Sequence, residues 1–424
     1  MKWTRFHFLT QRLRPLAPVV VLALASALGA VFLSSCGVEP AAVRQQPLTV
    51  EGVPIIRIRL TASGVTGAEI ATTGGYRLFV GGRAISESEG RLAPVDVTRS
   101  GQTWKFNNLT AAGERVKLQP SPGSYVRFGG ITYRGELRLL PEGLEKFTVV
   151  NHVDMESYLA GVLPKELYPS WHGQAYRALA TAARTFALVQ MKRFGGSKAY
   201  DLGDGQASQV YGGFSAETDK SWAAVRDTHG QVLVYEQDGE EKLFLTQYSA
   251  CCGGYVNGAY AIRKAPQIEP LLGGQECNDC RSCPRYRWPP VKIAKTHLIR
   301  VLAASYPSAE KLEDIQAVRV VSSALHGRAV WLDIVGPGGM SVRLRAEDLR
   351  LSLLRSGLAA ARKLYSMNCK VRLVDNDVEF YDGRGFGHGV GLCQWGAQRK
   401  AETGWTDRKI LNFYYPGSKL IRAY

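Results

Sequence analysis

Two glutamates stand in an apolar and aromatic stretch of the sequence, MESYLAGVLPKELYPSW, residues 155–171. Glu166 lies just after Pro164, and Tyr168 and Trp171 follow it. A carboxyl that loses water among aromatic rings has a raised pKa and can stay protonated near neutral pH, as a general acid must. Glu166 is therefore the candidate acid, with a solvated or ion-paired glutamate as the alternative.

Glu156 is the competing carboxylate. It follows Asp154, the predicted N-cap of a helix over DMESYLAGVL, where a negative charge stabilises the helix by ~0.3–1 kcal/mol. Arg184, in AARTF on a predicted long helix, could orient Glu166 through a charge-assisted hydrogen bond. Such a bond would depress the pKa of Glu166 and oppose an acid role. A purely structural ion pair is the other interpretation of Arg184.

A second stretch, GRGFGHGVGLCQWGA at residues 383–397, has glycine at every second position over residues 383–391. In an extended backbone these glycines share one face, which then has no side chains. We expect a packed neighbour or a ligand against that face, and a structural Gly-rich strand is the alternative. The spacing matches no G-x-G-x-x-G nucleotide motif. His388, Gln394 and Trp395 would supply donors and a stacking surface, or else a structural histidine and a core tryptophan.

The cysteines allow two predictions. The sequence has seven after Cys36, namely Cys251, Cys252, Cys277, Cys280, Cys283, Cys369 and Cys393. An exported protein favours disulfides, and we expect Cys252 to be linked into the cluster at residues 277–283. The alternative is a structural zinc ion, for which the C-x2-C-x2-C spacing is suitable. Its ligands would be Cys252, Cys277, Cys280 and Cys283.

The beginning of the chain is typical of an export signal. Four basic residues precede an apolar run that ends in LSSC, and no acidic residue occurs before Glu39. The run resembles a lipoprotein signal cleaved before Cys36, whose acyl chains would hold the protein to a membrane. An uncleaved anchor helix is the alternative. Removing residues 1–35 lowers the net charge from +16 by four, to +12. In an exported chain this charge points to wall polymers and lipid headgroups, not to nucleic acid.

The pattern along the chain predicts an α+β fold, with a β-rich N-terminal part and a helix-containing core interrupted by a mixed α/β insertion. Alternating β-forming residues in segments such as YRLFVGG support the β-rich part. The expected units are a signal peptide (1–35), a tether (36–50), the β-rich region (51–146), the first part of the core (147–289), the insertion (290–368) and the second part of the core (369–424).

Five stretches occur in an order that resembles the SpoIID/LytB family. They are VVNHVDMESYLAGVLPKELYPSW, QAYRALATAARTFAL, YSACCGGY, GRGFGHGVGLCQWGAQ and ILNFYYPG. The family includes stage II sporulation protein D, a peptidoglycan lytic transglycosylase, and amidase-enhancer proteins. The resemblance implies cleavage of the β-1,4 bond between N-acetylmuramic acid and N-acetylglucosamine in glycan strands without stem peptides. It places the catalytic glutamate at Glu166, with Glu156 as the alternative.

The resemblance also implies roles for other residues and partners. Trp171 and Tyr211 are candidate sugar-stacking residues, and no cofactor is required. The partners would be glycan strands, a cell-wall amidase and a membrane reached through the lipid anchor. The expected location is the cell envelope, on the outer membrane of a two-membrane cell because Gly37 follows the lipidated cysteine. Some sporulation relatives bind zinc in the segment equivalent to residues 201–213, which here has neither Cys nor His. The alternative function is a glycan-binding amidase enhancer that does not cut.

Overall fold

In the computed structural model, which describes residues 51–194, 197–206 and 208–424, the chain begins as antiparallel strands. These are β1 (Ile55–Arg59), β2 (Gly67–Thr72), β3 (Tyr76–Val80), β4 (Arg83–Ser88), β5 (Val95–Ser100), β6 (Thr103–Phe106), β7 (Leu109–Ala112), β8 (Val116–Pro120), β9 (Val126–Phe128), β10 (Ile131–Tyr133), β11 (Glu136–Glu142) and β12 (Lys146–Asp154). The predicted β-rich N-terminal region is confirmed.

The strands form two sheets around a shared core. One sheet has the order β13–β1–β12–β11–β8–β3–β4, where β13 (Leu202–Gly203) lies parallel to β1. The other has the order β10–β9–β2–β5–β6–β7. Trp104 of β6 packs edge-on against Phe147 of β12, with ring centroids 5.3 Å apart, and both side chains are fully buried. This contact joins the apolar faces of the two sheets.

Three helices follow, α1 (Met155–Glu166), α2 (Gly173–Phe194) and α3 (Asp219–Asp227). The helix α1 starts directly after β12 because the Asp154 carboxylate accepts a hydrogen bond from the Ser157 amide at 2.9 Å, as predicted for an N-cap. The helix is longer than the predicted stretch DMESYLAGVL, which stops before Pro164. The proline lies within the last turn and the helix ends at Glu166, since the N–H missing from proline removes only one helical hydrogen bond there.

The rest of the chain alternates short strands and helices. They are β14 (Gln231–Gln237), β15 (Glu240–Leu243), β16 (Tyr248–Ser249), β17 (Arg287–Trp288), β18 (Val291–Ala294), α4 (Lys295–Ala303), β19 (Ala317–Ser323), β20 (Ala329–Val335), β21 (Ser341–Arg345), α5 (Ala346–Arg355), β22 (Lys370–Val374), β23 (Asp377–Tyr381), β24 (Gly383–Arg384), β25 (Leu392–Cys393), α6 (Gln394–Glu402), α7 (Asp407–Tyr414) and β26 (Ser418–Arg422).

A second apolar core occupies much of the segment predicted as a mixed insertion. It is built from α4, α5 and the sheets β19–β20–β21 and β18–β23–β22, with Leu298, Leu332 and Phe380 fully buried. The mixed α+β class is thus confirmed, while the domain boundaries stay a prediction. Within the described ranges, none of the helices has the length and apolar character that crossing a bilayer requires. The predicted signal peptide, the tether and Cys36 lie outside those ranges.

The Gly-rich segment is not the extended strand that we predicted. Over residues 383–391, the named strand covers only Gly383 and Arg384, and the later alternate glycines have positive φ, from +94° at Gly387 to +66° at Gly391. The segment therefore winds, and its glycines meet packed protein. A Cβ on Gly383 would lie 2.1 Å from the Trp288 ring, and one on Gly391 would lie 2.0 Å from the Gln247 carbonyl oxygen. The glycines allow close packing inside the core rather than an open face for a sugar.

This packing makes Gly391→Ala a test of the fold. The alanine would add a backbone strain of about 1–2 kcal/mol at positive φ and a clash with the backbone at Gln247. Gly404→Ala is the matched control, because Gly404 has φ +86° but nothing within 4 Å of an added Cβ. We expect a clearly larger fall in Tm for Gly391→Ala in thermal unfolding followed by circular dichroism. Equal Tm values for the two variants would contradict the packing.

Candidate active site

The Glu166 carboxyl is held by donors from two distant parts of the chain. The Val210 backbone N–H donates to Oε1 at 3.0 Å, and the Gln394 side-chain amide donates to Oε2 at 3.1 Å. Val210 follows β13, whereas Gln394 is the first residue of α6. The end of α1 is thus fixed between these two segments, and both carboxyl oxygens have a partner.

A glycine on α1 allows the segment that carries Val210 to approach. A Cβ on Gly161 would lie 2.8 Å from both the Gly213 carbonyl oxygen and the Tyr211 ring. The Gly212 N–H donates to the Gly161 carbonyl oxygen at 3.1 Å. Any larger residue at position 161 would push the segment, and with it the Val210 donor, away from Glu166.

The surroundings of Glu166 suit a proton donor. Burial raises the pKa of Glu166, and the hydrogen bonds from Val210 and Gln394 oppose that rise only in part. The carboxyl also lies at the C-terminal end of α1, where the helix dipole disfavours negative charge. The side chain is only half-buried, so solvent or a ligand can reach it. A reachable carboxyl that keeps its proton to a higher pH than usual can act as a general acid.

The other glutamate, Glu156, is part of a buried ion pair. Arg184 donates to both of its oxygens, from Nε at 2.8 Å and from a terminal nitrogen at 2.6 Å, and the Tyr424 hydroxyl also donates to it. Burial alone would raise the pKa of Glu156, but Arg184 and Tyr424 hold it below the ordinary value. Glu156 is therefore an ionised structural group, which disfavours it as the alternative acid.

The same contacts agree with the structural ion pair that was one interpretation of Arg184, and contradict a role in orienting Glu166 or in binding a substrate. Arg184 is fully buried and directs its donors to Glu156 and to the Gln231 carbonyl oxygen, the latter at 3.1 Å. Residues 156 and 166 are nearly three turns of α1 apart, about 15 Å along the axis, so one guanidinium cannot serve both carboxyls. Glu166 thereby keeps its raised pKa without an adjacent cation.

Three aromatic rings pack together, and two of them, Tyr168 and Trp395, lie close in sequence to Glu166 and to its partner Gln394. The centroid of Trp171 lies 5.4 Å from that of Tyr168 and 5.2 Å from that of Trp395. Trp171 is only 6% exposed, whereas Tyr168 is 53% exposed and Trp395 is half-buried. Trp171 is therefore too buried to offer a ring face, whereas Tyr168 and Trp395, the latter already a predicted stacking residue, keep exposed surface. Sequence reasoning noted Tyr168 only as a neighbour of Glu166.

The second predicted stacking residue, Tyr211, is in the core. It is 4% exposed, and its ring packs 5.0 Å from that of Tyr158 and 5.7 Å from that of Tyr133. Its hydroxyl donates to Asn151 at 3.1 Å. Tyr211 offers no free face to a sugar, and its role is to hold the segment 209–213 against α1 and the sheet.

The side chain of His388 forms a hydrogen bond within its own loop. Its Nδ1 accepts a hydrogen bond from the Val390 N–H at 3.0 Å. Burial lowers the pKa of His388 to about 4, with the nearby charge of Glu347 opposing this and Arg328 adding to it. The imidazole is therefore neutral near pH 7 and supplies no positive charge to a substrate.

A chain of polar side chains that sequence reasoning missed lies behind Glu166. The Tyr158 hydroxyl donates to the Gln209 carbonyl oxygen at 3.0 Å, and the Gln209 amide donates to the Tyr248 hydroxyl at 3.0 Å. Burial first, and the charge of Glu166 among other causes, raise the pKa of both tyrosines. These residues share no motif, so their spacing in the sequence carried no signal.

Asp204 is a further carboxyl that the sequence did not single out. Burial raises its pKa, and its charge in turn acts on Tyr133 and Tyr158. It lies in DLGDGQASQVYGG, the same segment that supplies Val210. Like Glu166, Asp204 is a carboxyl whose pKa is raised by burial, and both charges act on Tyr158.

Four buried thiols come together close to the start of α6. They belong to Cys252, Cys277, Cys280 and Cys393, and their sulfur atoms all lie within 4.8 Å of one another. The set of zinc ligands predicted from the sequence included Cys283, and in the structure Cys393 occupies that fourth place. The predicted disulfides are not formed in the described chain, where Cys252 Sγ lies 3.6 Å from Cys280 Sγ, far longer than the ~2.05 Å of a disulfide. The four thiols are close enough to hold a metal ion.

Comparison with known proteins connects this geometry to a family. Residues 144–235, which contain α1 and α2, match the SpoIID model, described as Stage II sporulation protein. An uncharacterized protein of Brachyspira hyodysenteriae is 28% identical over 317 residues, covering 75% of this chain and 79% of that protein. Stage II sporulation protein D of Bacillus subtilis is 28% identical over 349 residues, covering 78% of this chain and 92% of that protein. The amidase enhancer of Bacillus subtilis is 26% identical over 297 residues, covering 62% of this chain but 40% of that protein.

Removing the charge of each glutamate by substitution with glutamine should change the stability of the fold in opposite directions. Glu156→Gln leaves Arg184 buried without a counter-charge and should destabilise the fold by about 3–5 kcal/mol. Glu166→Gln removes a carboxylate whose ionisation is disfavoured in the fold and should raise Tm at pH 7. The measurement is thermal and urea unfolding of both variants at pH 7 and pH 4.

The pH dependence follows from the direction of each pKa shift. The pKa of Glu156 is lower in the folded state than in the unfolded state. Its ionised carboxylate therefore stabilises the fold above the unfolded pKa, and this stabilisation is lost as the pH falls through the folded pKa. The pKa of Glu166 is higher in the folded state than in the unfolded state. Glu166 therefore destabilises the fold once the pH rises above the unfolded pKa, because the unfolded chain then loses this proton more readily than the folded chain. The difference in stability between each variant and the unmutated protein should therefore be smaller at pH 4 than at pH 7. A loss of stability from Glu166→Gln equal to that from Glu156→Gln would contradict the assignment of roles.

Proposed function

Because this chain belongs to the SpoIID family, we propose that it is a peptidoglycan lytic transglycosylase whose acid and base is Glu166. One observation carries the proposal. A half-buried carboxyl with a raised pKa is held by two hydrogen-bond donors, and the exposed Tyr168 follows it two residues later in the chain. This is the group that cleavage of a glycosidic bond requires.

The reaction needs only this carboxyl. Protonated Glu166 donates its proton to the glycosidic oxygen, and the bond from that oxygen to C1 of the muramic residue breaks. The carboxylate then removes the proton of the C6 hydroxyl on the same sugar, and O6 bonds to C1 to close a 1,6-anhydro ring. Glu166 ends protonated, and no water is consumed. The Val210 N–H and the Gln394 amide stabilise the carboxylate during the interval between the two proton transfers.

A hydrolase would need a second carboxylate. A hydrolase that retains the configuration at the anomeric carbon has the second carboxylate ~5–5.5 Å from the acid, and one that inverts it has the two groups ~6.5–9.5 Å apart. Glu156 is excluded from that role by its buried pair with Arg184. Asp204 is the remaining carboxyl with a raised pKa in the same segment as Val210. The chemical nature of the new sugar end, anhydro or reducing, therefore separates the two reactions.

The substrate that we propose is a glycan strand without stem peptides. The exposed Tyr168 and half-buried Trp395 offer ring faces on which sugars can stack. The net charge of the mature chain, +16 less four, favours binding to anionic wall polymers. We place the protein in the cell envelope as a lipoprotein anchored through Cys36, a prediction that rests on the sequence alone.

A second candidate function is recruitment of a cell-wall amidase to glycan. The match to a protein named amidase enhancer, over 62% of this chain, favours it. In that case the same aromatic surface would bind glycan, and the raised pKa of Glu166 would have no catalytic use. Cleavage by the purified protein decides between the two functions.

Glu166→Gln should reduce the release of 1,6-anhydro-muramic ends by ~10²–10⁴-fold, because the amide keeps the shape of the side chain and has no acidic proton. The assay is mass spectrometry of products from purified, peptide-free glycan strands. Glu402→Gln, at an exposed position on α6, is the matched control and should leave the rate unchanged.

Three outcomes would contradict the proposal. Full activity of the Glu166→Gln variant would remove Glu166 from the mechanism. Products with reducing ends would indicate a hydrolase and direct attention to Asp204. Absence of cleavage by the unmutated protein would favour the amidase-recruiting function.

Gln394→Ala should move the alkaline limb of the pH profile of kcat/KM to higher pH. The Gln394 amide lowers the pKa of Glu166, so its removal raises that pKa and keeps the acid protonated to a higher pH. Gln398→Ala, one turn further along α6, is the matched control. Gln398 accepts a hydrogen bond from the His172 N–H and should leave the limb in place. An unmoved limb in Gln394→Ala would show that this hydrogen bond does not tune the acid.

A further inference from the structure

The four clustered thiols come from three separate segments of the chain. We call them the thiol cluster, and its members are Cys252, Cys277, Cys280 and Cys393. The first follows β16, the next two flank and occupy a short 3-10 turn, and the last is the final residue of β25. All four are fully buried, at 0% exposure. The fold thus gathers four soft ligands at one point in its interior.

The spacing of the sulfur atoms fits a single tetrahedral ion. Zinc bound by four thiolates at ~2.3 Å places the sulfur atoms ~3.8 Å apart. The separation of Cys252 Sγ and Cys280 Sγ is 3.6 Å, and all four sulfur atoms lie within 4.8 Å of one another. A pair of disulfides would need two separations of ~2.05 Å. We propose that the thiol cluster binds one structural zinc ion through all four sulfur atoms.

The neighbours of the cluster suit such a centre. The Cys252 N–H donates to Cys393 Sγ at 3.3 Å, and the Tyr414 hydroxyl lies 3.2 Å from Cys277 Sγ. Donors of this kind orient and stabilise thiolate ligands. A Cβ on Gly396 would lie 2.6 Å from Cys277 Sγ, so α6 approaches the sulfur atoms as closely as a backbone can. Four protein ligands leave no open coordination position, which makes the zinc ion structural and not catalytic.

The ion would fix the start of α6. Cys393 immediately precedes Gln394, whose amide donates to the Glu166 carboxyl. A bond from zinc to Cys393 ties this turn to the loops that carry the other three ligands, and so holds Gln394 in place. Zinc binding is expected whether or not the protein cleaves glycan, so its test is independent of the proposed function.

The first test is the metal content of the purified full chain, measured by inductively coupled plasma mass spectrometry. We expect about one zinc ion per chain, as for other structural sites with four protein ligands. Cys393→Ser should lose the metal. Cys283→Ser and Cys369→Ser are matched controls, because both cysteines are buried but lie outside the thiol cluster, and both variants should keep the metal. Loss of zinc from Cys283→Ser with retention in Cys393→Ser would overturn this ligand set.

A second measurement does not depend on whether Cys393→Ser folds. Exchange of zinc for Co²⁺ in the unmutated protein should produce intense thiolate-to-cobalt charge-transfer absorption together with the visible bands of a tetrahedral site. The Cys283→Ser control should give the same spectrum. Absence of metal together with disulfide-linked peptides among the four cysteines, found by mass spectrometry without reduction, would overturn the proposal.

Discussion

The hydrogen bond from Gln394 to Glu166 is the contact on which the candidate site depends. It joins residues separated by 228 positions at 3.1 Å, and so connects the end of α1 to the start of α6. With the Val210 N–H on the other oxygen, it gives a partly desolvated carboxyl a fixed orientation. The sheets, α2 and the glycine-lined approach at Gly161 all bring these segments together. Loss of this contact would leave the Glu166 carboxyl, at an unfavourable helix end, with the Val210 N–H and no side-chain donor to orient it.

The two glutamates of α1 show that surroundings, and not residue type, decide the role of a carboxyl. Burial disfavours the charge of both side chains. Arg184 offsets that cost for Glu156, which becomes an ionised structural group. Glu166 receives only neutral donors, so its pKa remains raised. A cation beside Glu166 would lower its pKa, so the pairing of Arg184 with Glu156 is what leaves Glu166 as the candidate acid.

The sequence predicted what depends on local pattern. The N-cap at Asp154, the long helix α2 and the strands of the N-terminal region follow from spacing and residue preference. It did not predict which glutamate Arg184 binds, or that Cys393 and not Cys283 completes the thiol cluster, because those contacts join segments far apart in the chain. The alternating glycines at residues 385–391 led to the wrong prediction of an extended strand for a related reason. Alternation suggests a strand, but their positive φ follows from close neighbours that only the folded chain supplies.

The thiol cluster and the candidate acid meet at one turn of α6. The cluster uses Cys393 and the acid uses Gln394, which are adjacent residues with side chains directed to different partners. Gly396, the third residue of α6, has no room for a side chain because Cys277 and Tyr414 lie against it. The motif GLCQWGA therefore combines three constraints: a thiol for the cluster, an amide for the acid and a glycine for close approach. Trp395 adds a ring that packs against Trp171 and Tyr168. Because these separate contacts crowd into one short segment, a small shift at the start of α6 would disturb the thiol cluster and the hydrogen bond to the Glu166 carboxyl together.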